Sequence, residues 1–317
     1  MIAVHLENGR VSLRCRPRPR RPAGFALIRL LCAGICDTDL ELRRGYYSFR
    51  GTPGHEFVGE VVTADNSKLP GRRVVGEINL SCGACEWCRR GLGRHCSRRK
   101  VLGIVGQPGV FAEYFVLPEK NLHVVPESIP TEHGVFIEPL AAACEILEQV
   151  RIPRGASVAV LGDGKLGLLA AQVLQLHGAD VCLFGHHKKK LQIAKSVGVK
   201  VQISFGETPA AAYDWVVEAT GSAQGLKEAI TMTRPRGTVV MKSTVHGLVP
   251  VDTAQAVVHE ISLVGSRCGR FEPALRLLRT GAVQVAEMIH ARVPLAEAPR
   301  AFELAAANGA LKVLIVR

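Results

Sequence analysis

From residue 157 onward the sequence alternates between short apolar runs and amphipathic stretches, and this alternation constrains the fold more than any other feature. Runs at 158–161, 181–184, 215–218, 238–242 and 261–265 read as buried strands, and stretches at 166–176, 188–196 and 225–233 read as the helices between them. A strand that reaches the next through a helix returns to the same end of the sheet, so such strands run parallel. The series predicts a doubly wound α/β unit, a parallel sheet with helices on both faces. Residues 26–125 have another character: apolar runs at 25–31, 57–62, 73–78 and 112–117, broken by Gly and Pro, read as strands of an irregular β-rich unit. A helix is expected over 138–150. Beyond 265 come helices at 273–278 and 295–307 and a last apolar run, 311–316, which reads as a strand able to complete the sheet of the first unit. The expected organisation is a discontinuous domain, 1–138 with 268–317, around an inserted domain at 139–267.

Composition narrows the classes. A chain of 317 residues suits two cores, and no apolar run approaches the roughly 18 residues of a membrane span. Residues 1–14 lack the charged head, apolar run and cleavage site of a signal peptide, so a cytoplasmic address without membrane attachment is expected. The net charge of +12 comes from scattered basic residues, densest at Arg14, Arg16, Arg18, Arg20 and Arg21 among prolines, and reads as a solvated surface rather than a nucleic-acid footprint. No internal repeat or low-complexity tract is present.

Four of the ten cysteines cluster. Cys82, Cys85, Cys88 and Cys96 follow C-x2-C-x2-C-x7-C, with Gly83, Gly91 and Gly93 to permit tight turns. Four thiolates at this spacing suit a tetrahedral zinc with no open position, hence a structural site. In model fingers such coordination contributes about 10–16 kcal/mol to the local fold. An iron–sulfur cluster or four unrelated thiols are the alternatives.

A second donor set is dispersed: Cys36 in Gly34-Ile35-Cys36-Asp37-Thr38-Asp39, His55 and Glu56 after Gly54, and Glu138 before Pro139-Leu140. A thiolate, an imidazole and a carboxylate leave one tetrahedral position open, as a catalytic zinc requires. Taken singly, each also fits a plainer role: a small buried thiol, a core histidine, a carboxylate at a helix start.

In this order around the cysteine loop, the motifs resemble those of the zinc-dependent medium-chain alcohol and polyol dehydrogenases, in particular the sorbitol and threonine dehydrogenase-like branch, over nearly the whole chain. The resemblance implies a GroES-like catalytic domain and a Rossmann domain. It implies Cys36 and His55 as ligands of the catalytic zinc, with Glu56 and Glu138 both in its neighbourhood and able to alternate. It also implies that Thr38 takes the alcohol proton and that Asp39 accepts a hydrogen bond from the other ring nitrogen of His55. The further relay histidine of many family members has no counterpart after Asp39. Tyr46, Tyr47 and Phe49, between the ligand segments, are candidate substrate contacts or a packed aromatic cluster.

The run Gly162-Asp163-Gly164-Lys165-Leu166-Gly167 is a G-x-G-x-x-G between a predicted strand and helix, the context in which that motif holds a dinucleotide pyrophosphate at a helix N-terminus. An NAD site carries an acid at the end of the second strand, where this chain has Gly185. Gly185 leaves room for a 2′-phosphate, and His186, His187 and Lys188 offer positive charge, so NADP is expected ahead of NAD; the same basics also suit a solvated helix start. By position in the implied fold, Thr220 and Ser243 join the cofactor site, Lys242 and Thr244 fall near the nicotinamide, and Arg267 and Lys312 are candidates for the cofactor phosphates, the interdomain cleft or equally a solvated surface.

The expected protein is a homodimer or homotetramer with two zinc ions per chain, transferring hydride between a secondary alcohol, polyol or sugar-type substrate and NADP or NAD. The rivals are a redox-inert dinucleotide-binding sensor or structural protein, a nucleic-acid-binding protein using the cysteine loop, and a zinc-free quinone reductase-like enzyme.

Overall fold

The strand Phe25–Gly34 organises the first unit: its ten residues are almost all apolar and are largely buried along the whole length. A strand of this kind needs cover on both faces and neighbours on both edges. Glu56–Thr63 pairs antiparallel along one edge; the other is shared, Tyr114–Pro118 taking residues 25–29 and Lys312–Val316 taking residues 32–34. Arg73–Gly76 and Leu122–Val124 extend the sheet on one side, and Ile289–Pro294, parallel to Lys312–Val316, extends it on the other. The last apolar run is thus an interior strand of this sheet. A hairpin of Ile2–Glu7 and Arg10–Cys15 and a small sheet beside the cysteine loop complete the β structure of the unit.

The computed structural model describes residues 1–204, 209–244 and 248–317. By packing they form two compact units, 1–138 with 288–317, and 139–287. The chain re-enters the first unit at 288 rather than at the expected 268, because 268–287 is tied into the second. Arg270 Nε bonds Glu148 at 3.1 Å, and Gln172 and Gln284 exchange hydrogen bonds of 3.0 and 2.8 Å. Helix Phe271–Arg279 buries Phe271, Ala274 and Leu278.

Among the described residues the second unit holds six parallel strands in the order Lys200–Ile203, Asp180–Gly185, Ser157–Leu161, Tyr213–Glu218, Thr233–Met241 and Ser262–Gly265. Helices Lys165–His177, Lys188–Ser196 and Ala223–Met232 connect strands in the expected doubly wound manner. The strand order reverses between Ser157–Leu161 and Tyr213–Glu218, which opens a crevice at their C-terminal ends, where open α/β sheets bind ligands. Lys200–Ile203 is an edge strand that the apolar pattern does not announce. No helix among the described residues is long and apolar enough to cross a membrane.

One core cluster of this unit joins Leu161, Phe184, Val216, Ile230, Met232 and Val239, with the Phe184 ring edge-on to Tyr213 at 5.8 Å. Replacing Phe184 by Ala removes a fully packed ring and is expected to destabilise the unit by about 3–5 kcal/mol, read as a fall in the denaturant midpoint.

Candidate active site

Cys36 is the N-cap of the short helix Asp37–Arg43, with extended backbone (φ −92°, ψ 159°). Asp39, one turn in, reaches back so that Oδ2 accepts the Cys36 N–H at 2.9 Å. Its other oxygen accepts the Gly54 N–H at 3.1 Å. One buried carboxylate therefore pins both segments that carry the candidate ligands. Gly54 has a left-handed backbone (φ +100°), and a Cβ there would meet the Phe111 ring at 2.6 Å, so this crossing requires glycine.

The outcome is a cluster in which Cys36 Sγ, a His55 ring nitrogen and a Glu56 carboxylate oxygen all lie within 4.8 Å of one another. The Cys36 thiol also donates to Thr38 Oγ1 at 3.7 Å. His55 and Glu56 are buried, yet His55 Nδ1 and Glu56 Oε1 make no hydrogen bond. A thiol, an imidazole and a buried carboxylate oxygen without a protein partner, gathered this closely, fit a zinc ion with an open fourth position. His55 Nδ1 stands 3.7 Å from Asp39 Oδ1, too long for the expected hydrogen bond, because Asp39 has turned to the two backbone N–H groups. Burial opposes a charged His55, but Asp39 and Cys36 outweigh it and hold the ring pKa well above 6.5. That negative field also suits a divalent cation. Glu138 is not among the mutually close donors; it is half-buried in the first turn of helix Ile137–Gln149. The structure thus gathers three of the four expected ligands and not the fourth.

Behind Glu56 lies Lys312, fully buried at the start of the C-terminal strand. Its Nζ donates to Glu56 Oε2, is 3.5 Å from the Ile35 carbonyl oxygen, and sits 5.8 Å above the Phe136 ring. Burial works against the ammonium, but Glu56 and then Cys36 raise its pKa above the ordinary 10.5, so it stays charged. Gly34 makes the space: a Cβ there would lie 2.6 Å from Glu56 Oε2 and 2.8 Å from Lys312 Cδ. Lys312 is therefore not a cofactor-phosphate contact. Of the aromatic candidates, Tyr47 is 60% exposed with a left-handed backbone (φ +60°), and its ring lies 4.2 Å from that of Tyr46.

The cysteine loop brings Cys82, Cys85, Cys88 and Cys96 within 4.8 Å of one another. Left-handed turns at Gly83 and Gly91 fold it; Gly93 has no left-handed backbone and instead packs on Ser81. Backbone N–H groups of Ala84 and Cys85 point at Cys82 and pull its pKa down to about 5, and Arg98 Nη2 approaches the same sulfur at 3.4 Å. Four thiols gathered this closely, with Cys82 held as a thiolate, suit a closed four-sulfur zinc site.

In the second unit each glycine of the motif has its own reason. Gly162 turns with φ +109°, and a Cβ would lie 2.5 Å from the Ala219 carbonyl oxygen. A Cβ on Gly167 would overlap the Gly162 carbonyl oxygen, whereas Gly164 faces open space with nothing within 4 Å. Gly164 is also the N-cap of helix Lys165–His177, which has no side-chain cap. An open face beside uncapped N–H groups is the cradle that a pyrophosphate needs. Lys165 is buried and Leu166 follows it in the first turn. Nearby strand ends carry a buried Glu218 whose Oε1 accepts from Thr220 N, Thr220 Oγ1 and Ser243 Oγ at 2.7, 2.7 and 3.2 Å. Lys242 does not join them: its Nζ donates to Ala142 O, Ser266 Oγ and Arg267 O, a structural anchor. The room at Gly185 is likewise filled, by the side chain of Asp163, so it is not left for a phosphate.

Residues 22–127 match the alcohol dehydrogenase GroES-like domain model, and residues 166–280 match the zinc-binding dehydrogenase model. The sorbitol dehydrogenase of Halalkalibacterium halodurans is 30% identical over 99% of this chain and 98% of its own. The chain belongs to the zinc-dependent medium-chain alcohol and polyol dehydrogenase family. The D-altritol 5-dehydrogenase of Agrobacterium fabrum is 31% identical to this dehydrogenase over 92% of each chain. A zinc-binding dehydrogenase structure from Sinorhizobium meliloti 1021, bound to NADP, superposes with a TM-score of 0.91 at 31% identity, covering 100% of this chain and 99% of its own.

Sequence reasoning about this dehydrogenase misplaced Lys312, which lies beside Glu56, and missed the role of Asp163 beside Gly185. The signal for the first is a lysine inside an otherwise apolar strand, Lys312–Val316, since charges in such strands are buried only when paired. Lys312→Met should leave Glu56 buried without its counter-ion and destabilise the first unit by about 3–5 kcal/mol, whereas Lys312→Met with Glu56→Gln should recover much of that loss in thermal unfolding.

Proposed function

We propose that this dehydrogenase oxidises a secondary alcohol of polyol or sugar type, with NADP preferred over NAD, using one catalytic and one structural zinc per chain. The observation that carries this reading is the Cys36, His55 and Glu56 cluster with Thr38 Oγ1 at the thiol. Relatives named for sorbitol and D-altritol support a polyhydroxylated substrate, and the NADP-bound neighbour and the basic run 186–190 support the cofactor preference. When bound, zinc supplies Lewis-acid polarisation of the substrate oxygen, and the nicotinamide ring supplies the hydride acceptor.

The residues have these roles in the proposal. Cys36 and His55 hold the catalytic metal, with Glu56, or Glu138 after local movement, as the carboxylate ligand. Thr38 Oγ1 takes the substrate hydroxyl proton as its own hydroxyl proton passes on to solvent, and Asp39 keeps the two ligand segments in register. Gly162, Gly164 and Gly167 with the start of helix Lys165–His177 cradle the pyrophosphate, while Thr220 and Ser243 shape the adjoining crevice. Cys82, Cys85, Cys88 and Cys96 hold the structural metal. The chain acts in the cytoplasm as a homodimer or homotetramer; all ten cysteines are free of disulfides, and the edge strand Ser262–Gly265 offers an unpaired side to a second copy.

A screen of polyols and simple secondary alcohols with both nucleotides should reveal turnover with a polyol and a larger kcat/KM for the NADP couple; activity confined to primary alcohols would overturn the substrate class. Cys36→Ser should lower kcat/KM by about a thousandfold or more. Metal analysis of that variant should find one zinc per chain in place of two, and retention of both metal and activity would refute the ligand assignment.

A further inference from the structure

Building on the dinucleotide reading above, we infer that Asp163 is the positioning residue for cofactor choice: it takes the place of the acid that an NAD site carries at the end of the second strand and sets the 186–190 segment to receive the 2′-phosphate of NADP.

Gly185 ends strand Asp180–Gly185, and its backbone is not left-handed, so its conformation does not call for glycine. Asp163 does. A Cβ at 185 would lie 2.5 Å from Asp163 Cβ and 2.6 Å from Asp163 Oδ2. The two positions cannot both carry side chains as the chain stands. The glycine turn and the strand end are therefore one specificity element, in which an acid enters from position 163 or from position 185 and not from both.

An acid from position 163 acts differently from one at the strand end. Asp163 has a side chain only 8% exposed, and its Oδ2 accepts the backbone N–H groups of His186 and His187 at 2.8 and 2.7 Å. The His187 ring is held too, Nδ1 lying 3.1 Å from the same oxygen, and Lys190 Nζ stands 3.9 Å from Oδ1. A strand-end acid serves NAD by turning its oxygens outward to the ribose hydroxyls. Asp163 turns its oxygens inward to the protein. Its charge is offset by Lys190, and the exposed His186, Lys188 and Lys189 give this edge a net positive character. Such an edge favours a phosphate dianion over a neutral hydroxyl pair.

The test titrates the purified full chain with NADPH and NADH by nucleotide fluorescence, comparing the unaltered protein with Asp163→Asn, Gly185→Asp and the double variant Asp163→Gly with Gly185→Asp. Gly185→Asp alone should weaken both nucleotides by about tenfold or more, since it forces two carboxylates into one place. The double variant should regain NADH binding and reverse the preference. Asp163→Asn should weaken NADPH selectively, moving the ratio of the two Kd values toward unity by about threefold or more, a change that general destabilisation would not produce. If Gly185→Asp fails to fold, Asp163→Asn and the double variant decide. The inference is overturned if Gly185→Asp alone becomes NADH-selective at unaltered affinity, if Asp163→Asn leaves the ratio unchanged, or if the unaltered protein prefers NADH. An unaltered protein that binds neither nucleotide would overturn the dinucleotide reading beneath it as well.

Discussion

The ion pair of Lys312 and Glu56 is the constraint on which the first unit depends. Two charges with no exposed surface are costly to bury and stay buried only if they face each other with their remaining bonding capacity met. Here the pair joins the start of strand Glu56–Thr63 to the start of strand Lys312–Val316 behind the candidate metal cluster, with Gly34 between them left bare to admit it. One Glu56 oxygen is committed to Lys312 and the other has no protein partner. A carboxylate divided in this way is fixed in place and still has a free lone pair for a metal. Packing and chemistry are thus met by one side chain.

Asp39 plays the corresponding part on the other side of the cluster. Metal sites commonly rely on an acid that orients a histidine ring, but this acid orients the backbone beneath two candidate ligands instead. The ring of His55 is then set by the tightly crossed backbone around Gly54 and by the Cys36 side of the cluster.

What the sequence revealed follows from how far each interaction reaches along the chain. The four-cysteine loop was legible because its cysteines fall within one short segment whose turns are marked by glycine. The strands of the parallel sheet were legible because burial on both faces writes a continuous apolar run. Lys200–Ile203 was not, since it is a four-residue edge strand with alternating exposure. The start of Thr233–Met241 was hidden by Arg234, Pro235 and Arg236, which are exposed where the pairing slips past Tyr213. Cys36, His55 and Glu56 carried weight only through their order. The partners of Asp163 and Lys312 could not be read, because nothing near them names a residue 23 or 256 positions away.

The distance between Glu56 and Lys312 also orders events in time. During synthesis the glutamate leaves the ribosome with the core of its sheet, but its counter-ion and the interior strand that carries it come 256 residues later. At about 5–20 residues per second, that is a wait of roughly 13–50 s. All six strands of the second unit, the last being Ser262–Gly265, are made within that interval. Every strand of the second unit's sheet is thus made before the first unit's sheet receives its last interior strand and Glu56 its counter-ion.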